Sequence, residues 1–153
     1  MKEIINNTNN ENKITKVAAY IRFSATPSHP SQSYDTQYED MKGKITNNPN
    51  YEFVDVYADE FSADNKEGFA TMIKDALEGK IDLILIKSIS RLGRNTVENL
   101  NAIRSLRDKG VDVYFENQNV HTTDVSGDLI ITIFSSIAQE EEIAKAEREN
   151  HHE

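Results

Sequence analysis

Residues 81–86, Ile81-Asp82-Leu83-Ile84-Leu85-Ile86, make a short, nearly continuous apolar run. A strand with one wet face alternates apolar and polar side chains, so a run of this kind belongs to a strand covered on both faces. Cover on both faces implies an α/β domain, with helices packed on each side of a mainly parallel sheet. The flanking sequence agrees. A helix is predicted from about Ser33 to Thr46, ended by the turn chemistry of Asn47-Asn48-Pro49-Asn50, and a strand from Glu52 to Tyr57 follows. Phe69, Met72, Ile73, Ala76 and Leu77 recur at helical spacing, predicting a helix from about Glu67 to Glu78 with Gly79 as its stop.

Beyond the apolar run, Asn95 with Glu98 forms a near capping box, so a helix is expected to start there and to reach about Lys109 before Gly110. Next come a strand at Val111 to Phe115, a short extended piece near Val120 to Thr122, and a long helix from about Ser126. Leu129, Ile130, Ile133, Phe134, Ile137 and Ala138 give that helix an apolar stripe, which yields to dense charge after Gln139. Its second half is expected to leave the globule or to be packed by another subunit, the bland alternative being a frayed C-terminal helix. The expected fold is α/β, a central, mainly parallel sheet of about 4–5 strands flanked by helices, with a long C-terminal helix.

The first strand, from about Lys16 to Phe23, delivers an arginine and a serine together. Side chains two apart share a strand face, so Tyr20, Arg22 and Ser24 project one way and Ala19, Ile21 and Phe23 the other. A guanidinium forks onto phosphate oxygens, so a hydroxyl beside it suggests attack on a phosphate rather than a carbonyl. The Pro/Ser stretch from Ala25 to Gln32 reads as a loop that cannot be helical. The run 81–86 likewise empties into Lys87-Ser88-Ile89-Ser90-Arg91-Leu92-Gly93-Arg94-Asn95-Thr96. Ligands of open α/β sheets bind outside the carboxyl ends of the strands, so Arg22, Arg91 and Arg94 are expected to converge near Ser24. Read blandly, Arg91 and Arg94 are solvated loop residues, and Ser24 merely flanks a strand end.

A net charge of −9, from 17 basic and 26 acidic residues, argues against a simple nucleic-acid clamp. From Lys87 to Lys109, however, six basic residues face two acidic ones, a local +4, so one face can meet an anion. There is no Cys, hence no disulfide or thiolate site, and no stretch has the length and apolarity of a bilayer span or a signal peptide; a cytoplasmic location is expected. Residues 1–15 are Asn-rich without apolar period and read as a disordered tail. The organisation expected is this tail, a catalytic domain over residues 16–125, the long helix over 126–150 and a short tail at 151–153.

Four blocks resemble the catalytic domain of the serine site-specific recombinases of the resolvase and invertase type. They are Tyr20-Ile21-Arg22-Phe23-Ser24; Ser33-Tyr34-Asp35-Thr36-Gln37; the loop from Ile86 to Thr96; and Gly127 through the helix carrying Ala138-Gln139-Glu140-Glu141. By that resemblance the fold is resolvase-like, and Ser24 attacks a DNA phosphodiester, leaving a 5′-phosphoserine link and a free 3′-hydroxyl. Arg22, Arg91 and Arg94 fall on the family's phosphate-binding arginines and Gln37 on its active-site glutamine, with Tyr20, Lys66 and Ser90 as supporting positions. Strands would rejoin without metal, cofactor, nucleotide or ATP. The expected partners are DNA and further copies of the chain, as dimer and tetramer joined through the C-terminal helix.

Three departures stand out. Ser90 occupies a position where resolvases usually carry Asp, as in the large serine recombinases; Lys66 stands for a further arginine; and the loop after Ser24 is longer than in small resolvases. No DNA-reading module follows Asn150, which suggests a catalytic fragment or a truncated relative. The alternatives are a non-catalytic regulatory relative that pairs with active subunits, and a metal-dependent nuclease or topoisomerase-primase-like domain using Asp59, Glu60, Asp124 and Asp128, acids otherwise read as solvated. A response-regulator-like module would need clustered acids where this chain has Arg22 and Ser24. His29 is a lone candidate base, and His151-His152-Glu153 reads as a disordered terminus.

Overall fold

The computed structural model describes residues 13–63, 65–93 and 95–136. The chain forms two compact units, residues 1–85 and 86–153. A five-stranded sheet runs through the fold in the order β2-β1-β3-β4-β5. Its strands are β1 (Thr15–Phe23), β2 (Tyr51–Glu60), β3 (Leu83–Ile86), β4 (Asp112–Phe115) and β5 (Val120–His121). β1 and β2 are parallel and β4 and β5 antiparallel.

In the first unit, Val17 to Ile21 are at most 2% exposed, so β1 is covered on both faces as fully as β3. Helix α1 (Tyr34–Thr46) packs on β1 and β2 and buries Met41 and Ile45, one turn apart. Helix α2 (Glu67–Leu77) packs on β2 through Phe69, Met72 and Ala76, the stripe expected from their spacing. Two elements differ from the sequence reading. β2 does not end at Tyr57 but continues through Asp59 and Glu60, because β1 lies beside it as a partner up to Phe23. The Pro/Ser loop contains a helical turn after all, a 3-10 turn at Pro30–Gln32. Proline at the first helical position has no N–H to lose and a φ already suited to the turn.

In the second unit, a 3-10 turn (Ile89–Leu92) precedes helix α3 (Thr96–Asp108), then β4, β5 and a helix, α4, described over residues 127–136. Ile103 and Leu106 of α3, Val113 and Phe115 of β4, and Ile130 and Phe134 of α4 are buried, with the Phe115 and Phe134 rings edge to face at 6.3 Å. Arg107 Nε donates to Thr122 O at 3.0 Å and Nη2 to Val125 O at 2.8 Å. One of the six cations counted toward an anion-meeting face is thus bound to backbone carbonyls. Residues 137 onward, on which most of the long helix expected from the sequence falls, lie outside the described residues. Among those described, no helix is long and apolar enough to cross a membrane.

Candidate active site

The pairing of β1 with β2 decides which side chains meet. Val17 pairs with Phe53, but Ala19 pairs with Val56, so β2 carries one extra residue between these points. A shift of one residue exchanges the faces of a strand. After it, Tyr20 stands opposite Tyr57 and Arg22 opposite Asp59. Tyr20 Oη donates to Asp59 Oδ2 at 2.7 Å and accepts from Arg22 Nη1 at 3.4 Å, while Arg22 Nη2 donates to Phe61 O at 3.0 Å. The Asp59 carboxylate also accepts from Gly68 N at 2.8 Å and Phe69 N at 2.9 Å, the N-terminal amides of α2. Lys66 precedes that helix with no side-chain cap, so an acid from the neighbouring strand serves its orphan donors.

Arg22 and Asp59 are 6% and 7% exposed, so Asp59 is buried rather than solvated as expected. Burial, reinforced by Asp59, raises the Tyr20 pKa well above its ordinary value although Arg22 opposes the shift. Tyr20 is therefore a neutral phenol that relays between an acid and a guanidinium. A buried arginine so held keeps its orientation, which is the condition for a preorganised cation.

Gln37, one turn into α1, donates from Nε2 to Arg22 O at 2.8 Å. Ser24, half-buried, donates its N–H to Gln32 O at 2.9 Å, and its hydroxyl makes no hydrogen bond among the described residues. Gln32 Oε1 in turn accepts from Ser28 N and Oγ, closing the loop after Ser24. Lys66 Nζ lies 4.4 Å from the centre of the Phe69 ring, which meets Tyr20 edge to face at 5.3 Å. The structure thus brings Tyr20, Arg22 and Gln37 together, with Lys66 one ring removed from Tyr20. The sequence reading has Asp59 only as a solvated acid or a rival metal ligand, not as the partner of Tyr20 and the α2 amides, and gives Gln32 no role. An uncapped helix start at Lys66 was the available signal that an outside acceptor was needed.

The loop 87–95 belongs to the second unit. Its 3-10 turn is closed by Arg91 N to Ser88 O at 3.1 Å and Gly93 N to Ser90 O at 3.3 Å. Ser88 is buried, and its hydroxyl lies 2.8 Å from that of the exposed Ser90. Arg91 is half-buried, and burial lowers its pKa from the usual arginine value while leaving it a cation. Gly93 leaves the turn at φ +84°, a left-handed conformation that favours glycine. Arg94 lies outside the described residues. The capping box is not made: Asn95 precedes α3 without capping it and gives its amide to Glu98 Oε2 at 2.9 Å.

Asp59 is thus already engaged by Tyr20 and two amides, and among the described residues no group of three or more His, Asp and Glu side chains could hold a metal ion.

Comparison with known proteins gives a consistent answer. The family model for the N-terminal domain of resolvases matches residues 17–152. A resolvase/recombinase of Pseudomonas putida is 30% identical over 137 residues, 88% of this chain and 70% of that protein. The Tn3 transposon resolvase of Escherichia coli is 34% identical over 89 residues, 58% of this chain and 47% of the resolvase. The chain thus spans about half the length of that relative. Among solved structures, a resolvase-family site-specific recombinase from Streptococcus pneumoniae aligns at TM-score 0.61 and 25% identity, over 91% of this chain and 95% of that one. The N-terminal catalytic domain of TP901-1 integrase shares the fold at TM-score 0.59 and 22% identity, over 84% and 98% of the two chains.

Proposed function

This chain belongs to the resolvase family, and on that premise we propose that it is the catalytic domain of a site-specific recombinase whose nucleophile is Ser24. Ser24 Oγ attacks a DNA phosphodiester; the Oγ–P bond forms as the bond to the 3′-oxygen breaks. The serine proton is released, and a proton is taken up by the departing 3′-hydroxyl. The 5′-phosphoserine ester keeps the energy of the broken bond, so reversal by an exchanged 3′-hydroxyl rejoins the strands without ATP.

The observation that carries this reading is the buried Arg22, oriented by Tyr20 and Phe61 O and locked through Asp59, two residues before a serine whose hydroxyl makes no hydrogen bond among the described residues. Charge on the non-bridging oxygens calls for such cations, and Arg91 and Arg94 are read as the others, with Gln37, Lys66 and Ser90 in support. Losing one donor of this kind typically costs about 10²–10³ in rate. The cations take the charge-neutralising part that a metal takes in other phosphoryl transfers. The partners are DNA and further copies of the chain, assembled through α4.

The test fuses the full chain to a sequence-specific DNA-binding domain and incubates it with end-labelled DNA in EDTA. A covalent adduct in the wild type, absent in Ser24→Ala, is the expected result. A folded, DNA-bound fusion that forms no adduct would point instead to a non-catalytic regulatory relative, with Lys66→Arg as the next variant.

A further inference from the structure

The loop that carries Arg91 has an anchor on α3 that the proposed chemistry has not used. Asn99 is 2% exposed, one turn into α3, a place where a buried amide needs a reason. Its Nδ2 donates to Leu92 O at 3.0 Å and to Gly93 O at 3.3 Å, the two carbonyls that leave the 3-10 turn. Leu92 is itself 1% exposed. Carbonyls at the end of a helical turn have no partner within it, and burying them unpaired is costly. At the turn's other end, Ile89 N donates to Gln118 Oε1 at 3.2 Å. The turn is therefore gripped at both ends, and Arg91 lies between the grips.

We propose that Asn99 is a positioning residue for the recombinase reaction: its amide fixes the exit of the 89–92 turn and thereby the direction in which Arg91 meets the phosphate. The role rests on the reading of Ser24 and Arg91 given above. No other side-chain type does this at the same size. Leucine fills the space but offers no donor, and aspartate sets an anion against two carbonyl oxygens.

Two measurements separate the anchor from the chemistry. The first is native tryptic cleavage after Arg91 in the full chain. Release of the turn in Asn99→Leu is expected to speed it by an order of magnitude or more, on the order of the loss of one buried anchor. The second is the rate constant for adduct formation by the DNA-binding fusion at saturating DNA. A loss of about 10- to 100-fold is expected, the scale of a misplaced catalytic group. Mere destabilisation would lower the amplitude of the adduct and spare the rate constant. Asn99→Ala, which removes the donor without crowding, serves where Asn99→Leu does not fold. Unchanged cleavage in the folded variant overturns the anchor. Faster cleavage with an unchanged rate constant overturns the positioning role. A wild type without Ser24-dependent adduct overturns the chemistry and with it the catalytic role, while cleavage still decides the anchor by itself.

Discussion

Gly68 shows how tightly the Arg22 network is built at the level of single atoms. A Cβ added there would lie 2.3 Å from Ala58 O, 2.9 Å from Ala58 C and 3.1 Å from Asp59 Oδ1. Two of these atoms are backbone, and the third belongs to a buried carboxylate already holding Tyr20 and two amides, so none can move aside alone. Gly68→Ala is expected to force α2 away from β2 and to cost about 1–3 kcal/mol, the usual range for overpacking, seen as a lower urea midpoint. An unchanged midpoint would mean that α2 is looser on β2 than these distances require. Part of this network is legible in the sequence: strand alternation puts Tyr20 and Arg22 on one face, where Arg22 Nη1 meets Tyr20 Oη. Asp59 is not, because the face it occupies depends on the one extra residue in β2. A bulge reverses parity without leaving a mark in composition or periodicity.

Among the elements, helix starts separate real caps from apparent ones. Ser33 Oγ accepts from Thr36 N at 3.2 Å at the head of α1, the helix that delivers Gln37 to Arg22 O. Ser33→Ala is expected to lower stability by about 1 kcal/mol, while Ser33→Asp retains most of it. Asn95 at the head of α3 makes no such bond, so Asn95→Ala should cost clearly less in the same urea titration. Equal losses at the two positions would contradict the assignment. Helices were readable because their stripes and stops are local: Phe69, Met72 and Ala76 place α2 within a residue of expectation. Strand ends were less so. How far β2 runs is set by a partner strand remote in sequence, and the start of β3 by Asp82, whose N–H donates to Lys16 O and whose carboxylate accepts from Lys16 N.

For the whole molecule, the response to alkali follows from where the perturbed phenols lie. Tyr20, Tyr34 and Tyr57 all have pKa values raised above the ordinary 10.0, with burial the first cause in each. For Tyr57 the second cause is its hydrogen bond to Asp75 Oδ2 at 2.6 Å. All three belong to residues 1–85, the unit that holds Arg22 and Ser24. The fold favours the neutral phenol, so the unfolded chain releases its protons first as pH rises. The stability these tyrosines contribute is therefore complete below the unfolded value of about 10 and is lost as pH climbs from there through the higher folded values. Lysine deprotonation in the same range makes a chain of net charge −9 still more negative, which adds self-repulsion to any variant alike. Comparing Tyr57→Phe with the wild type cancels that common part. The expected outcome is a urea midpoint that falls with rising pH above about 10 in the wild type and falls less steeply in Tyr57→Phe. Parallel curves would show that the bond to Asp75 does not link the phenol's proton to folding.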